Sequence, residues 1–324
     1  MKRLLAGLSA AVFSIQSWAI EIGYMPILPV SQLFVGLEQG ELNDLAPEAK
    51  LIQFQNGPAM VQALLGGQLD VAYLGIGPAM VAKAKGADIK VVASNIVEQI
   101  SVVALPDLAE SFEQGDLAGG FARFEAKHGR KPVIATFPKG SVPDTVLSYW
   151  ALEGLGLTGD EFDVVHQGAA QVQQALLTGA VDGAAILEPV VSAVTTKIAD
   201  ARVIAAGSEL FEDQPGAVLV MRESLLAENP EWARKWVAEH VKATQALANN
   251  APGVVDAVGK YVGGGRLPKP IVEKAILQSS ASFVADPTAI IQGTQVMHDF
   301  QASQGTLKVK VDLASLFATE FYPQ

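Results

Sequence analysis

Residues 60–75 read MVQALLGGQLDVAYLG, and residues 172–187 read VQQALLTGAVDGAAIL. At a constant offset of 112 residues, Leu64 falls on Leu176, Leu65 on Leu177, Gly67 on Gly179 and Asp70 on Asp182. Each copy has helical spacing, a terminating Gly, then Asp before a short apolar run. The expectation is two similar units in which a helix leads into a strand. Strand and helix patterns alternate around both copies. The first pass runs IEIGYMP, SQLFVGLEQGEL, KLIQFQNGP, AMVQALLGG, LDVAYLG, GPAMVAKAKGA and IKVVASNI. The second runs KPVIATF, TVLSYWALEGLGL, DEFDVVHQG, AAQVQQALLTG, AVDGAAILEP, VVSAVTTKI and ARVIAAG. Such alternation predicts an α/β fold with largely parallel strands. Beyond Gly216 the chain turns mostly helical, with starts marked by Asn229-Pro230, Lys269-Pro270 and Asp286-Pro287.

The tetrapeptide GPAM occurs twice, at Gly57–Met60 and Gly77–Met80. Pro in the first helical turn is ordinary punctuation. In an open α/β sheet, however, ligands bind beyond the carboxyl ends of the strands. Both heads lie there, so they are expected at one rim. The loops at that rim are Gly23–Pro29, Gln55–Pro58, Leu74–Pro78, Phe137–Asp144, His166–Gly168 and Leu187–Pro189. Helix N-termini in these loops offer free N–H groups and partial positive charge, which suits anions. Tyr24 ends the first strand. Lys139 and Ser141, in FPKGSVPDT, read either as an anion cradle or as a solvated turn with a helix cap. Glu188, in ILEPV, reads as a partner for a ligand ammonium, as a bridge between the lobes, or as a carboxylate favoured at a helix start. His166 and Gln167 are further hydrogen-bonding candidates.

Composition excludes several chemistries. The chain has 324 residues, net charge −11 and no cysteine. Disulfides, thiolate metal sites, cysteine nucleophiles and an N-terminal lipidated Cys are therefore ruled out. The acidic balance opposes nucleic acid and anionic membrane surfaces. The four histidines, His128, His166, His240 and His298, have no metal-ligand spacing, so neither metal nor cofactor is expected. No G-x-S-x-G elbow, P-loop or dinucleotide fingerprint opens a helix, and GLGLTG at 154–159 reads as a helix stop. The start, MKRLLAGLSAAVFSIQSWA, has two basic residues, an apolar run and small residues at Ser17 and Ala19. It has the layout of a signal peptide cleaved after Ala19, and its apolar run is shorter than the ~20 residues a span needs. The mature product is expected to be exported, soluble and monomeric.

These loops resemble the periplasmic solute-binding proteins of the nitrate/sulfonate/taurine ABC importer family. The likeness rests on IEIGYMP, on FQNGPAMVQALLGGQLDVAYLGIGPAMVAKAKGADIKVVAS, on PKGSVPDTVLSYWALEGLGL and on QVQQALLTGAVDGAAILEPVVSAV. It covers most of residues 20–225. It implies a type II periplasmic-binding-protein fold: two α/β lobes joined by two crossover strands, with a ligand cleft between them. The implied division is signal peptide 1–19, first lobe 20–101 plus 217–324, and second lobe 102–216. The implied ligand loops carry Tyr24, Asn56, Gly57, Gly75, Gly77, Gly140, Ser141 and Glu188. The implied role is a binding protein, not an enzyme, that delivers a sulfonate, a taurine-like zwitterion or a related small anion to an ABC permease and its ATPase. The alternatives are an enzyme or binding protein of the same fold, as in thiamine-pyrimidine or menaquinone metabolism, and a sensor subunit for a receptor kinase. Three departures stand out. Residues 109–132 are longer than the usual connection, ILEP lacks a Trp seen in many members, and no Arg is identified in any cleft loop.

Overall fold

The computed structural model describes residues 19–324 except Gly40, Gln114 and Gln324. The expected signal peptide, apart from Ala19, lies outside the described residues. Two five-stranded sheets form the frame. The first contains β1 (Glu21–Tyr24), β2 (Lys50–Gln53), β3 (Val71–Gly75), β4 (Ile89–Ser94) and β10 (Ala217–Arg222), in the order β2-β1-β3-β10-β4. The second contains β5 (Ser101–Ala104), β6 (Val133–Thr136), β7 (Asp163–His166), β8 (Gly183–Ile186) and β9 (Arg202–Ala206), in the order β7-β6-β8-β5-β9. Each sheet with its helices is called a lobe below.

The internal repeat is realised strand for strand. Asp70 Oδ2 accepts the N–H of Glu21 at 2.9 Å, and Asp182 Oδ2 accepts that of Val133 at 2.8 Å. Each carboxylate thus ties the start of a central strand to its parallel neighbour. Each is also paired with an arginine, Arg222 for Asp70 and Arg130 for Asp182. Gly67 and Gly179 close the preceding turns with φ of 65° and 69°, a region that L side chains avoid.

The sheets are mixed rather than uniformly parallel. β10 runs antiparallel between β3 and β4, and β5 antiparallel between β8 and β9. Each of these strands enters its sheet from a crossover. The chain passes from the first sheet to the second between Ser94 and Ser101, and returns between Ala206 and Ala217. Local strand–helix alternation does not reveal this exchange.

Residues 109–132 carry the helix Leu117–His128, whose Phe121 and Phe124 are fully buried. Phe121 packs edge-on against Phe112 and Trp150, at 5.1 and 6.1 Å between ring centroids. The unusual connection therefore builds part of the second lobe's core. The helix Pro230–Ala248 packs on Ser31–Glu38 beside the first sheet. Two later helices reach the other lobe: Lys269–Ser279 meets Val190–Lys197, and Ile291–Ser303 meets Val142–Tyr149. No helix among the described residues is long and apolar enough to cross a membrane.

Candidate functional site

The two GPAM heads touch. The helices Gly57–Leu65 and Ile76–Ala84 start side by side. A Cβ on Gly57 would lie 2.6 Å from Cγ of Pro78. Asn56 caps the first helix, its side chain accepting the N–H of Ala59 at 2.9 Å. The second head faces the other lobe. A Cβ on Gly75 would lie 3.0 Å from Val142, and one on Gly77 would lie 2.6 Å from the Gly140 carbonyl oxygen. The glycines thus let the lobes meet with backbone against backbone. Gln301 completes this contact. It is buried, and its Nε2 donates to Gly140 O at 3.3 Å and to Thr145 Oγ1 at 2.8 Å.

The second lobe's loop is held from within. Ser141 caps Val142–Tyr149 by accepting the Asp144 N–H at 3.4 Å. Gly140, at φ 81°, donates its N–H to Asp144 Oδ2 at 2.9 Å. Asp144 Oδ1 lies 2.8 Å from His166 Nε2, so the histidine serves this loop. Lys139 is exposed and, among the described residues, has no hydrogen-bond or ion-pair partner. With Ser141, Pro58, Pro78 and Lys85 it lines a hollow of about 220 Å³ between the lobes.

Tyr24 is buried, edge-on to Phe34 at 5.6 Å, and burial raises its phenol pKa. Glu188 is buried and occupied. Its Oε2 accepts the Ser192 N–H at 2.9 Å and its Oε1 the Ser192 hydroxyl at 2.9 Å. Ser192 Oγ also lies 2.8 Å from the Gln278 side chain in the other lobe. Burial pushes the Glu188 carboxyl up, against the two Ser192 hydrogen bonds and nearby Lys274, which lower it. Its carboxylate therefore anchors the first turn of Val190–Lys197. We expect Glu188→Ala to lower the unfolding free energy by about 1–3 kcal/mol without ligand, since it strands the buried Ser192 N–H and leaves the Ser192 hydroxyl only Gln278 as a partner. Denaturant titration checks this, and an unchanged midpoint would remove the anchoring role.

A larger hollow, about 440 Å³, lies elsewhere in the cleft. Met25–Ile27 and Gln53–Gln55 line it from the first lobe, and Ala169, Ala170, Gln173, Gln174, Pro189 and Val190 from the second. Gly263, Gly264 and Arg266 close it from the C-terminal part. Loops carrying Tyr24, Asn56 and Glu188 therefore border this hollow through their neighbours, whereas Gly77 and Gly140 meet in a closed contact. The expectation that no Arg reaches the cleft is overturned by Arg266. It arrives on VGGGR, where Gly263, Gly264 and Gly265 all have φ between 63° and 70°. Gly263 donates to Pro26 O at 3.2 Å, which docks this turn on the loop after β1. The triple glycine was the available sequence signal. Gln301 had none, since it sits unmarked in a helix. No group of three or more His, Asp or Glu among the described residues is placed to hold a metal.

Two α/β lobes around a two-walled cleft define a fold, and a family model decides the lineage. Residues 15–258 match the model of the NMT1-like family. This chain belongs to the NMT1-like family. Among curated relatives of this NMT1-like chain, a Brucella abortus (strain 2308) protein named only as a binding protein is 29% identical over 230 residues. That match takes in 70% of this chain and 64% of the relative's length. The alkanesulfonate-binding protein SsuA of Xanthomonas axonopodis pv. citri, bound to MOPS, superposes with a TM-score of 0.75. It is 21% identical, over 93% of this chain and 98% of that one. The periplasmic nitrate-binding protein NrtA of Synechocystis PCC 6803 gives 0.73 at 15% identity, over 93% and 85%. The NMT1-like chain thus has the fold of periplasmic binding proteins, with the two sheets and two crossings described above.

Proposed function

We propose that this chain is the periplasmic substrate-binding component of an ABC importer, acting as a monomer that hands a small solute to a permease and its ATPase. The solute is an organic anion of the sulfonate class, with taurine-like zwitterions included. The observation that carries this reading is the hollow of about 440 Å³ walled by both lobes. Its size falls in the range of small-molecule sites, and it is bounded by strand-end loops, where ligands of open α/β sheets bind. The family membership, the names of the structural relatives and the signal-peptide layout of the N-terminus support it. Tyr24, Asn56, Gly57 and Glu188 hold the loops that border the solute. Gly75, Gly77 and Gly140 form the closing contact between the lobes, and Lys139 and Ser141 line the smaller hollow beside it.

A thermal-shift panel on residues 20–324 tests this. The panel holds ethanesulfonate, butanesulfonate, taurine, nitrate, an alkylamine and an aminopyrimidine. An organosulfonate at 100 times its Kd should add about 2.7 kcal/mol of stability. Stabilisation by the pyrimidine or the amine alone would overturn the solute class. No response across the panel would overturn the receptor reading for these solutes.

A further inference from the structure

Six arginines lie in the described residues, and five of them pair with carboxylates: Arg123, Arg130, Arg202, Arg222 and Arg234. Arg266 is the exception; among the described residues it has neither an ion-pair nor a hydrogen-bond partner. It is also the one charged residue lining the 440 Å³ hollow, which has no Asp, Glu, Lys or His in its wall. In a chain of net charge −11 this is a local reversal of sign. Four glutamines, Gln53, Gln55, Gln173 and Gln174, face the same space, and none has a side-chain hydrogen bond among the described residues. Met25 and Phe54 add apolar wall.

We propose that Arg266 is the anion-recognising, specificity-determining residue of the larger hollow, and that it selects an organic anion with an apolar body. The proposal rests on the receptor reading above. A guanidinium is charged at every physiological pH and offers a planar fork that fits a sulfonate or carboxylate with two parallel hydrogen bonds. The unpaired carboxamides supply donors for the remaining oxygens. Size argues against a small inorganic ion. At about 440 Å³ the hollow is far larger than a few-atom ion needs, so nitrate would leave it mostly wet. The glycine run explains how an arginine distant in sequence is presented here. A Cβ at Gly265 would meet Lys260 O at 2.6 Å, so the turn accepts only glycine at that point.

The test compares wild type, Arg266→Gln and Arg266→Lys by calorimetry. The probes are butanesulfonate, nitrate and the neutral dimethyl sulfone. Arg266 is exposed, so all three proteins should melt alike without ligand. Butanesulfonate should bind wild type more tightly than nitrate does. Arg266→Gln should raise its Kd by about tenfold or more, with Arg266→Lys in between. The Kd of wild type should rise with NaCl, and that of Arg266→Gln should change far less. Dimethyl sulfone should not distinguish the variants. Butanesulfonate binding within twofold of wild type in Arg266→Gln would overturn the role of Arg266 and leave the receptor reading standing. No binding of either anion to wild type would remove both.

Discussion

Gly77→Ala should weaken solute binding by about 5- to 150-fold. The residue lies in the first turn of the helix Ile76–Ala84, where Gly is a poorer helix former than Ala by about 1 kcal/mol. By local propensity the substitution should help. Its cost is across the cleft. The new Cβ would sit 2.6 Å from the carbonyl oxygen of Gly140 and 2.9 Å from Nε2 of Gln301. Gln301 is a side chain and can turn aside, but the Gly140 carbonyl is backbone of the other lobe. Relief therefore requires the lobes to part. Overpacking of this kind costs about 1–3 kcal/mol, which is the stated loss in affinity. Calorimetry gives the Kd, and small-angle scattering of the liganded variant should show a larger radius of gyration than liganded wild type. Equal affinity and equal radius would mean that Gly77 and Gly140 do not meet in the bound form.

A second large effect concerns acid. His240 is fully buried in the helix Pro230–Ala248, and its Nε2–H donates to Ser94 O at 2.7 Å. Ser94 ends β4, immediately before the first crossover. The imidazole also lies 5.8 Å from the ring of Tyr73. Burial holds its pKa down at about 4, against an ordinary 6.5, and the bond to Ser94 offsets this only in part. Above pH 6.5 the ring is neutral in both folded and unfolded chains and has no pH effect. Between 6.5 and about 4 the unfolded chain takes up a proton that the folded one refuses, so stability falls as pH falls. By pH 4 the loss should be about 3 kcal/mol. His240→Gln keeps a donor for Ser94 and removes the titration. Urea midpoints at pH 7 and pH 4 should therefore fall further for wild type than for the variant. The same loss in both proteins would acquit His240.

Much of this fold was legible because its signals are local. Pro after Gly marked the two helix heads, and Gly67 and Gly179 marked two helix ends. Asp70 and Asp182 recur at one offset because each makes the same bond to the start of a neighbouring strand. The mixed sheets were not legible, because β5 and β10 are donated through crossovers, and a strand's direction is set by its destination. The candidate site was legible as loops and not as chemistry. Glu188 has the same sequence context whether it faces a ligand or turns back on Ser192; packing against the other lobe decides that. Arg266 lies far along the chain from the cleft loops, and its place depends on Gly263 docking against Pro26. Gln301 sits in a helix without any motif, and its partners at Gly140 and Thr145 lie in the other lobe.

On the proposed reading a small organic anion binds between the two lobes, with walls from both. The most direct measurement repeats the thermal shift of the best panel compound on two cleft-filling variants. Gln55→Trp fills the hollow from the first lobe, and Ala170→Trp fills it from the second. Both positions are exposed and line the same space, so each variant should fold as wild type does. Each substitution alone should abolish the stabilisation of about 2.7 kcal/mol that wild type shows at 100 times its Kd. A compound that stabilises both variants as much as wild type would place the ligand outside this cleft and overturn binding between the lobes.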